Sequence, residues 1–232
     1  MSAPLLEICA YNIQSCQIAQ QAGASRIELC SSPAEGGVTP SYATIQYAVE
    51  KIAIPTYVMI RTRGGGFVYD SSELSIMRKD IEICKKIGAS GIAIGILKND
   101  GSIDVEEMKR MTELAYPLGV TCHKAFDRTP DAFKALEDVI KSGCERILTS
   151  GLYPNALAGA RVIADLIKES EGRIIIMPGG GVRSSNILKL ARNTGAIELH
   201  SSALLPENTD YIADKKEVTD LVSELLKVPG LN

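Results

Sequence analysis

The sequence has no basic cluster: 25 Lys and Arg stand against 28 Asp and Glu, interspersed, for a net charge of −3. Phosphate backbones are held by clustered cations, so nucleic acid is not an expected partner. No stretch reaches the ~20 apolar residues of a membrane span, so no membrane partner is expected either. The start, Met1-Ser2-Ala3-Pro4, shows neither the basic n-region nor the apolar h-region of a secretory signal. Six cysteines stand at 9, 16, 30, 84, 122 and 144, none in a CxxC pair. That removes the usual zinc and dithiol readings and points to a reducing, cytoplasmic compartment. There is no linker and no low-complexity segment. One domain over 1–232 is therefore expected.

What is present is a repeated unit. An amphipathic stretch ends in Gly, and an apolar, β-branched run follows within a few residues. It occurs at Gly23 (then Arg26-Ile27-Glu28-Leu29), Gly88 (then Ile92-Ala93-Ile94) and Gly119 (then Val120-Thr121-Cys122). It recurs at Gly143 (then Arg146-Ile147-Leu148), Gly172 (then Arg173-Ile174-Ile175-Ile176) and Gly195 (then Ile197-Glu198-Leu199). These glycines suit the left-handed position just past a helix. With Leu5–Cys9 and Tyr57–Ile60, eight strands are predicted. Helices are predicted over 13–22, 42–51, 73–87, 105–116, 132–141, 156–169, 185–193 and 217–227. Strict β–α alternation means a parallel sheet under helical cover, and eight units in this length favour a closed TIM-type (β/α)8 barrel over an open doubly wound sheet.

Active sites of such barrels lie where strands end. Glu7 and Cys9 share parity on the first strand, as do Glu28 and Cys30 on the second. Arg61 and Arg63 follow the third, His123, Lys124 and Asp127 the fifth, and Glu198, His200 and Ser202 belong to the eighth. A period of two lets each set point into the barrel. Both histidines of the chain stand at strand ends. A salt-bridged polar layer filling the barrel is the structural alternative for the carboxylates. On this reading Glu28 pairs with Arg61 or Lys124.

Two loops add candidate binding groups. Gly179-Gly180-Gly181, after strand 7 and before a helix, lets backbone N–H groups approach an anion, with Ser202 as a partner from strand 8 and Thr149-Ser150-Gly151 supplying further donors. Arg61-Thr62-Arg63-Gly64-Gly65-Gly66-Phe67-Val68-Tyr69 reads as a lid or as a loop packed by its aromatics. Cys9 and Cys30 end neighbouring strands on the same inner face. Thiolates there suit Cu(I), although buried cysteines also simply pack. Cys16, Cys84, Cys122 and Cys144 read as packing residues.

With these residues in view the chain resembles the CutC copper-homeostasis family over most of its length. The motifs are Arg26-Ile27-Glu28-Leu29-Cys30, Glu35-Gly36-Gly37-Val38-Thr39-Pro40-Ser41 and Leu97 through Asp104. His123-Lys124-Ala125-Phe126-Asp127, Arg146 through Gly151, Pro178 through Val182 and Glu198 through Ala203 complete them. The resemblance implies a TIM-type barrel, a cytoplasmic protein, a role in copper tolerance, and Cys9 and Cys30 as candidate Cu(I) ligands. It also implies a shared pocket of Glu7, Glu28, Arg61, His123, Asp127, Glu198 and His200. Lys124 stands where the family usually has Arg.

Three functions compete. The first is a copper-homeostasis protein binding Cu(I) through Cys9 and Cys30. The second is a lyase, isomerase or hydrolase acting on a small anionic or phosphorylated metabolite. Arg61, Gly179, Gly180, Gly181 and Ser202 would hold the anion, and His123, Glu28, Asp127, Glu198 and His200 would move protons. The third is a ligand sensor without chemistry. A small ligand or metal ion is the expected partner, and assembly into a homo-oligomer stays open.

Overall fold

The computed structural model describes residues 3–205, 207 and 209–228. Met1 and Ser2, part of the N-terminal reading, lie outside them. The strands are β1 (Leu5–Ala10), β2 (Arg26–Leu29), β3 (Thr56–Met59), β4 (Gly91–Ile94), β5 (Gly119–Cys122), β6 (Arg146–Thr149), β7 (Ile175–Pro178) and β8 (Glu198–Ser201). The helices are α1 (Ile13–Gln21), α2 (Tyr42–Lys51), α3 (Ser71–Ile87), α4 (Val105–Ala115), α5 (Ala132–Lys141), α6 (Ala160–Ser170), α7 (Ser184–Thr194) and α8 (Lys215–Leu225). Strands pair in parallel in the order β7-β6-β5-β4-β3-β2-β1-β8. β8 returns beside β7, where Ser201 Oγ donates to the carbonyl of Val182 at 2.7 Å. This is the single-domain (β/α)8 barrel that the alternation predicts.

Local chemistry sets the element ends. Asn12, Ser41, Asp70, Asp104, Asp131 and Asp214 each accept a backbone N–H from the first turn of their helix, satisfying donors the helix itself leaves open. Gly88 and Gly195 close α3 and α7 at φ of 86° and 75°, as expected. Gly119 is different: it is the first residue of β5, not a helix terminator. A Cβ there would lie 2.1 Å from Tyr57 Oη, and one on Gly91 would lie 2.2 Å from Tyr57 Cε1. Both positions are glycine because the Tyr57 ring occupies the barrel interior beside them.

Alternation then sorts the side chains. Ile8, Ile27, Leu29, Val58, Ile92, Ile94 and Ile147 are wholly buried in the main apolar core, with the helix residues Met77, Ile81, Leu136 and Ile187. Each such side chain contributes ~1.5–3 kcal/mol by leaving water. The opposite parity fills the barrel interior, and its lower part is ionic. Arg26 bridges Glu7 and Glu198. Arg146 Nε donates to Glu198 Oε2 at 2.6 Å, while its Nη1 reaches Glu145 at 2.8 Å. The Tyr57 ring lies 5.0 Å from the Arg26 guanidinium and 5.3 Å from that of Arg146. This layer closes the floor of the barrel. Arg26, Glu7, Glu198 and Arg146 are at most 8% exposed, so the groups above stand on a buried base.

Candidate functional site

Directly above the ionic floor, β1, β2 and β8 converge. Cys9 and Cys30 are reduced and buried, with their sulfurs 3.8 Å apart. Glu28 Oε2 lies 3.5 Å from Cys30 Sγ and 3.9 Å from His200 Nε2. Glu7 Oε1 lies 2.7 Å from His200 Nδ1, which fixes the ring. Two donor sets are thereby brought within 4.8 Å: Cys9, Glu28 and Cys30, and Glu7, Glu28 and His200. The register explains the meeting. Cys9 stands opposite Glu28 in the β1–β2 ladder, and Glu7 opposite His200 in the β1–β8 ladder.

Burial and close charges divide the protons unevenly. The Cys30 thiol's hydrogen bond holds Cys9 well below the usual thiol range; burial opposes this, and His200 adds to it. The same bond, with burial, pushes Cys30 well above that range. For His200, burial favours the neutral ring, but Cys9, Glu7 and Glu28 outweigh it and raise its pKa strongly. Glu7 is likewise opposed by burial and brought down to about 2 by His200 and Arg26. Burial and the Cys9 charge push Glu28 up to about 8. These shifts favour charge on Cys9 and His200 and a proton on Cys30 and Glu28.

Cys9, Glu28 and His200 line an inner cavity of about 110 Å³ together with Arg61, His123 and Lys124, whereas Cys30 is not part of its lining. This opens toward a larger mouth of about 820 Å³ with Tyr11, Glu35, Asp127, Arg128, Ser150 and Tyr153 on its walls. Phe67, from the glycine-rich loop, touches both, its ring 4.8 Å from the Arg61 guanidinium and 5.1 Å from the His123 ring.

Several expected residues are placed otherwise. Glu28 does not pair with Arg61 or Lys124. The three hydrogen bonds of the Arg61 guanidinium go to the carbonyls of Glu35 and Gly37 in the loop after β2 and of Gly65 in the loop after β3, which it ties together. Lys124 is taken by Asp127 and Ser150. Asp127 lines the mouth, but its carboxylate is occupied by Lys124, Thr149 Oγ1 and the amides of Ser150 and Leu152. The donors after β6 that were expected to hold a ligand thus hold a side chain. Glu198 lies in the ionic floor, away from both cavities. Arg63 points away too, paired with Glu73 at 2.6 Å.

Gly179, Gly180, Gly181 and Ser202 also lie off both cavities. A Cβ on Gly179 would come 2.4 Å from Leu148 and 3.3 Å from His200. The N-terminus of α7 already has a carboxylate: Glu217 accepts from Ser184 N at 2.8 Å and Ser184 Oγ at 2.7 Å. The sequence reading missed Arg26 and Arg146, counted there within apolar runs. Their parity with Glu28 and Leu148 was the available signal.

Comparison with known proteins follows the same lines. The model of the CutC family matches residues 4–205. A Parabacteroides distasonis protein named "family protein CutC" is 50% identical over 200 residues, covering 86% of this chain and 82% of the relative. One of the same name from Vibrio campbellii is 44% identical over 231 residues, 98% and 94% of the two chains. A crystal structure from Streptococcus agalactiae, provisionally named a copper homeostasis protein CutC, superposes with a TM-score of 0.81 at 34% identity, over 86% of this chain and 98% of that one. Phosphoribosylanthranilate isomerase from Pyrococcus furiosus, at TM-score 0.63 and 13% identity over 97% and 100%, shares the barrel fold.

Proposed function

The chain belongs to the CutC family, and we propose that it binds Cu(I) as cargo through Cys9 and Cys30, in cytoplasmic copper homeostasis. The supporting observation is the pair of buried, reduced sulfurs 3.8 Å apart with carboxyl and imidazole donors beside them. Soft thiolates are the ligands that select Cu(I). With metal–sulfur bonds near ~2.3 Å, a linear S–metal–S unit would span ~4.6 Å. The observed spacing suits a bent arrangement with a third donor, and Glu28 or His200 is in reach.

The setting supports this reading in two further ways. His200 offers Nε2 toward the sulfur side while Nδ1 is fixed by Glu7, the carboxylate–imidazole orientation found behind metal-bound histidines. Cys9 is already inclined to ionise, so binding has to displace the Cys30 proton and, for the third donor, the proton held by Glu28 or by His200 Nε2. The same four residues could also serve Zn(II), which prefers four ligands. A competition assay separates the cases. Protein purified without added metal should take one Cu(I) from a chromophoric chelator. Cys9→Ser and Cys30→Ser should each weaken binding by more than the ~10–100-fold that loss of an outer partner costs. Cys144→Ser, buried elsewhere, is the control. Equal binding by all four proteins, or preference for Zn(II), would remove the proposal.

A further inference from the structure

The opposite wall of the inner cavity carries a second feature that involves neither sulfur. Arg61 is only 5% exposed, yet among the described residues no carboxylate pairs with it. Its hydrogen bonds all go to neutral carbonyls, its flat face meets Phe67, and its Nε has no partner. A buried cation without a counter-charge is costly and calls for an anion.

His123, on the same wall, is 3% exposed and has an unpartnered Nε2. Its Nδ1 accepts the backbone N–H of Ala125 at 3.1 Å, so Nδ1 carries no proton. In the neutral ring the proton is then on Nε2. Gly95 packs against the same edge of the ring: a Cβ there would lie 2.5 Å from Cε1 and 2.6 Å from Nδ1. His123 is therefore a fixed hydrogen-bond donor rather than the proton carrier that its position suggests. Burial and the Arg61 charge, which draw its pKa down to about 3, keep it so.

We infer that Arg61 and His123 form a binding site for the carboxylate of a small metabolite. One positive charge and two unpartnered N–H donors match a single planar monoanion with two oxygens. A cavity of about 110 Å³ has room for such a group, at ~30 Å³ per water-sized volume. A phosphate dianion would bring more charge than Arg61 balances and more oxygens than two donors satisfy. The mouth of about 820 Å³ takes the rest of the molecule, with Lys124 and Arg128 on its wall and Phe67 between the two compartments. The site does not depend on copper binding, since neither residue is among the proposed copper donors.

The chain has only two histidines, which makes the test direct. Protein labelled with ¹⁵N-histidine is titrated with acetate, with pyruvate and with inorganic phosphate at matched ionic strength, and each titration is repeated by thermal shift. The expected result is a saturable millimolar shift of the His123 Nε2–H signal with a carboxylate, together with a rise in Tm. His123→Phe should lose the thermal stabilisation. Arg61→Lys keeps the charge but not the fork, and should bind roughly tenfold or more weakly, the loss of one charge-assisted hydrogen bond. No response of His123 to either carboxylate would overturn the inference. A response to phosphate as strong as to carboxylate would overturn the ligand class. Loss of Cu(I) binding in the Cys9→Ser protein with the carboxylate response intact would leave this site standing on its own.

Discussion

Replacing Glu198 by Gln is expected to destabilise the barrel by about 3–5 kcal/mol, the cost of breaking a buried ion pair from one side. Glu198 accepts from Arg26 and from Arg146, and all three side chains are at most 8% exposed. An amide keeps the shape but removes the charge, leaving Arg26 with only Glu7, which also holds His200, and Arg146 with only the half-exposed Glu145. For a chain of this size, ~1 kcal/mol corresponds to ~2–4 °C, so Tm should fall by roughly 6–20 °C. Urea unfolding followed by far-UV circular dichroism gives the free energy, and an unchanged m-value would confirm that the folded state is still compact. The double variant Glu198→Leu/Arg146→Met removes one charge of each sign and should recover much of the loss, because an apolar replacement also removes the desolvation cost. A change below ~1 kcal/mol for Glu198→Gln would mean that water reaches the layer. The floor would then not be the dry base that the site above it requires.

Three further outcomes follow from the same structure. Stability should fall on acidification between pH 6.5 and about 3 in part through His123, whose folded-state pKa lies below its unfolded value; the unfolded chain binds the extra proton there, giving up to ~1.4 kcal/mol per pH unit, and His123→Gln should flatten that part of the profile. An unchanged profile would place the ring in water. Glu28→Gln should cost less than ~1 kcal/mol at pH 7, since burial already keeps that carboxyl neutral with a pKa of about 8; an ion-pair-sized loss of ~3 kcal/mol or more would show an ionised Glu28. Gly119→Ala should destabilise by ~1–3 kcal/mol through overpacking against Tyr57 and Glu145, and Tyr57→Phe should not rescue it, because Glu145 Oε1 at 2.3 Å and the Tyr57 ring carbon at 2.9 Å are also too close.

The sequence made the sidedness of the site legible, but not its partners. A period of two was enough to put Glu7, Cys9, Glu28, Cys30, Glu198 and His200 inside the barrel, because a strand permits only two faces. The same arithmetic applied to Arg26 and Arg146, but their positions in Ile- and Leu-rich runs hid them. Depth along the barrel was not legible. Glu198 and His200 share parity two residues apart, yet one lies in the ionic floor and the other beside the sulfurs. Which acid meets which base depends on the stagger between strands, and single-strand periodicity does not contain it. Pairing Glu28 with Arg61 was reasonable by charge and failed because carbonyls of two loops, Glu35 and Gly37 after β2 and Gly65 after β3, claim that guanidinium. The donors at the start of α7 and after β6 were similarly read as free, whereas Glu217 and Asp127 fill them from distant points in the chain.

Copper K-edge X-ray absorption on protein loaded with one equivalent of Cu(I) tests the copper assignment most directly. It predicts two sulfur neighbours and one lighter donor in the wild type, falling to a single sulfur in both Cys9→Ser and Cys30→Ser. A first shell of nitrogen and oxygen only, or a two-sulfur shell that persists in either variant, would contradict binding at the Cys9–Cys30 pair.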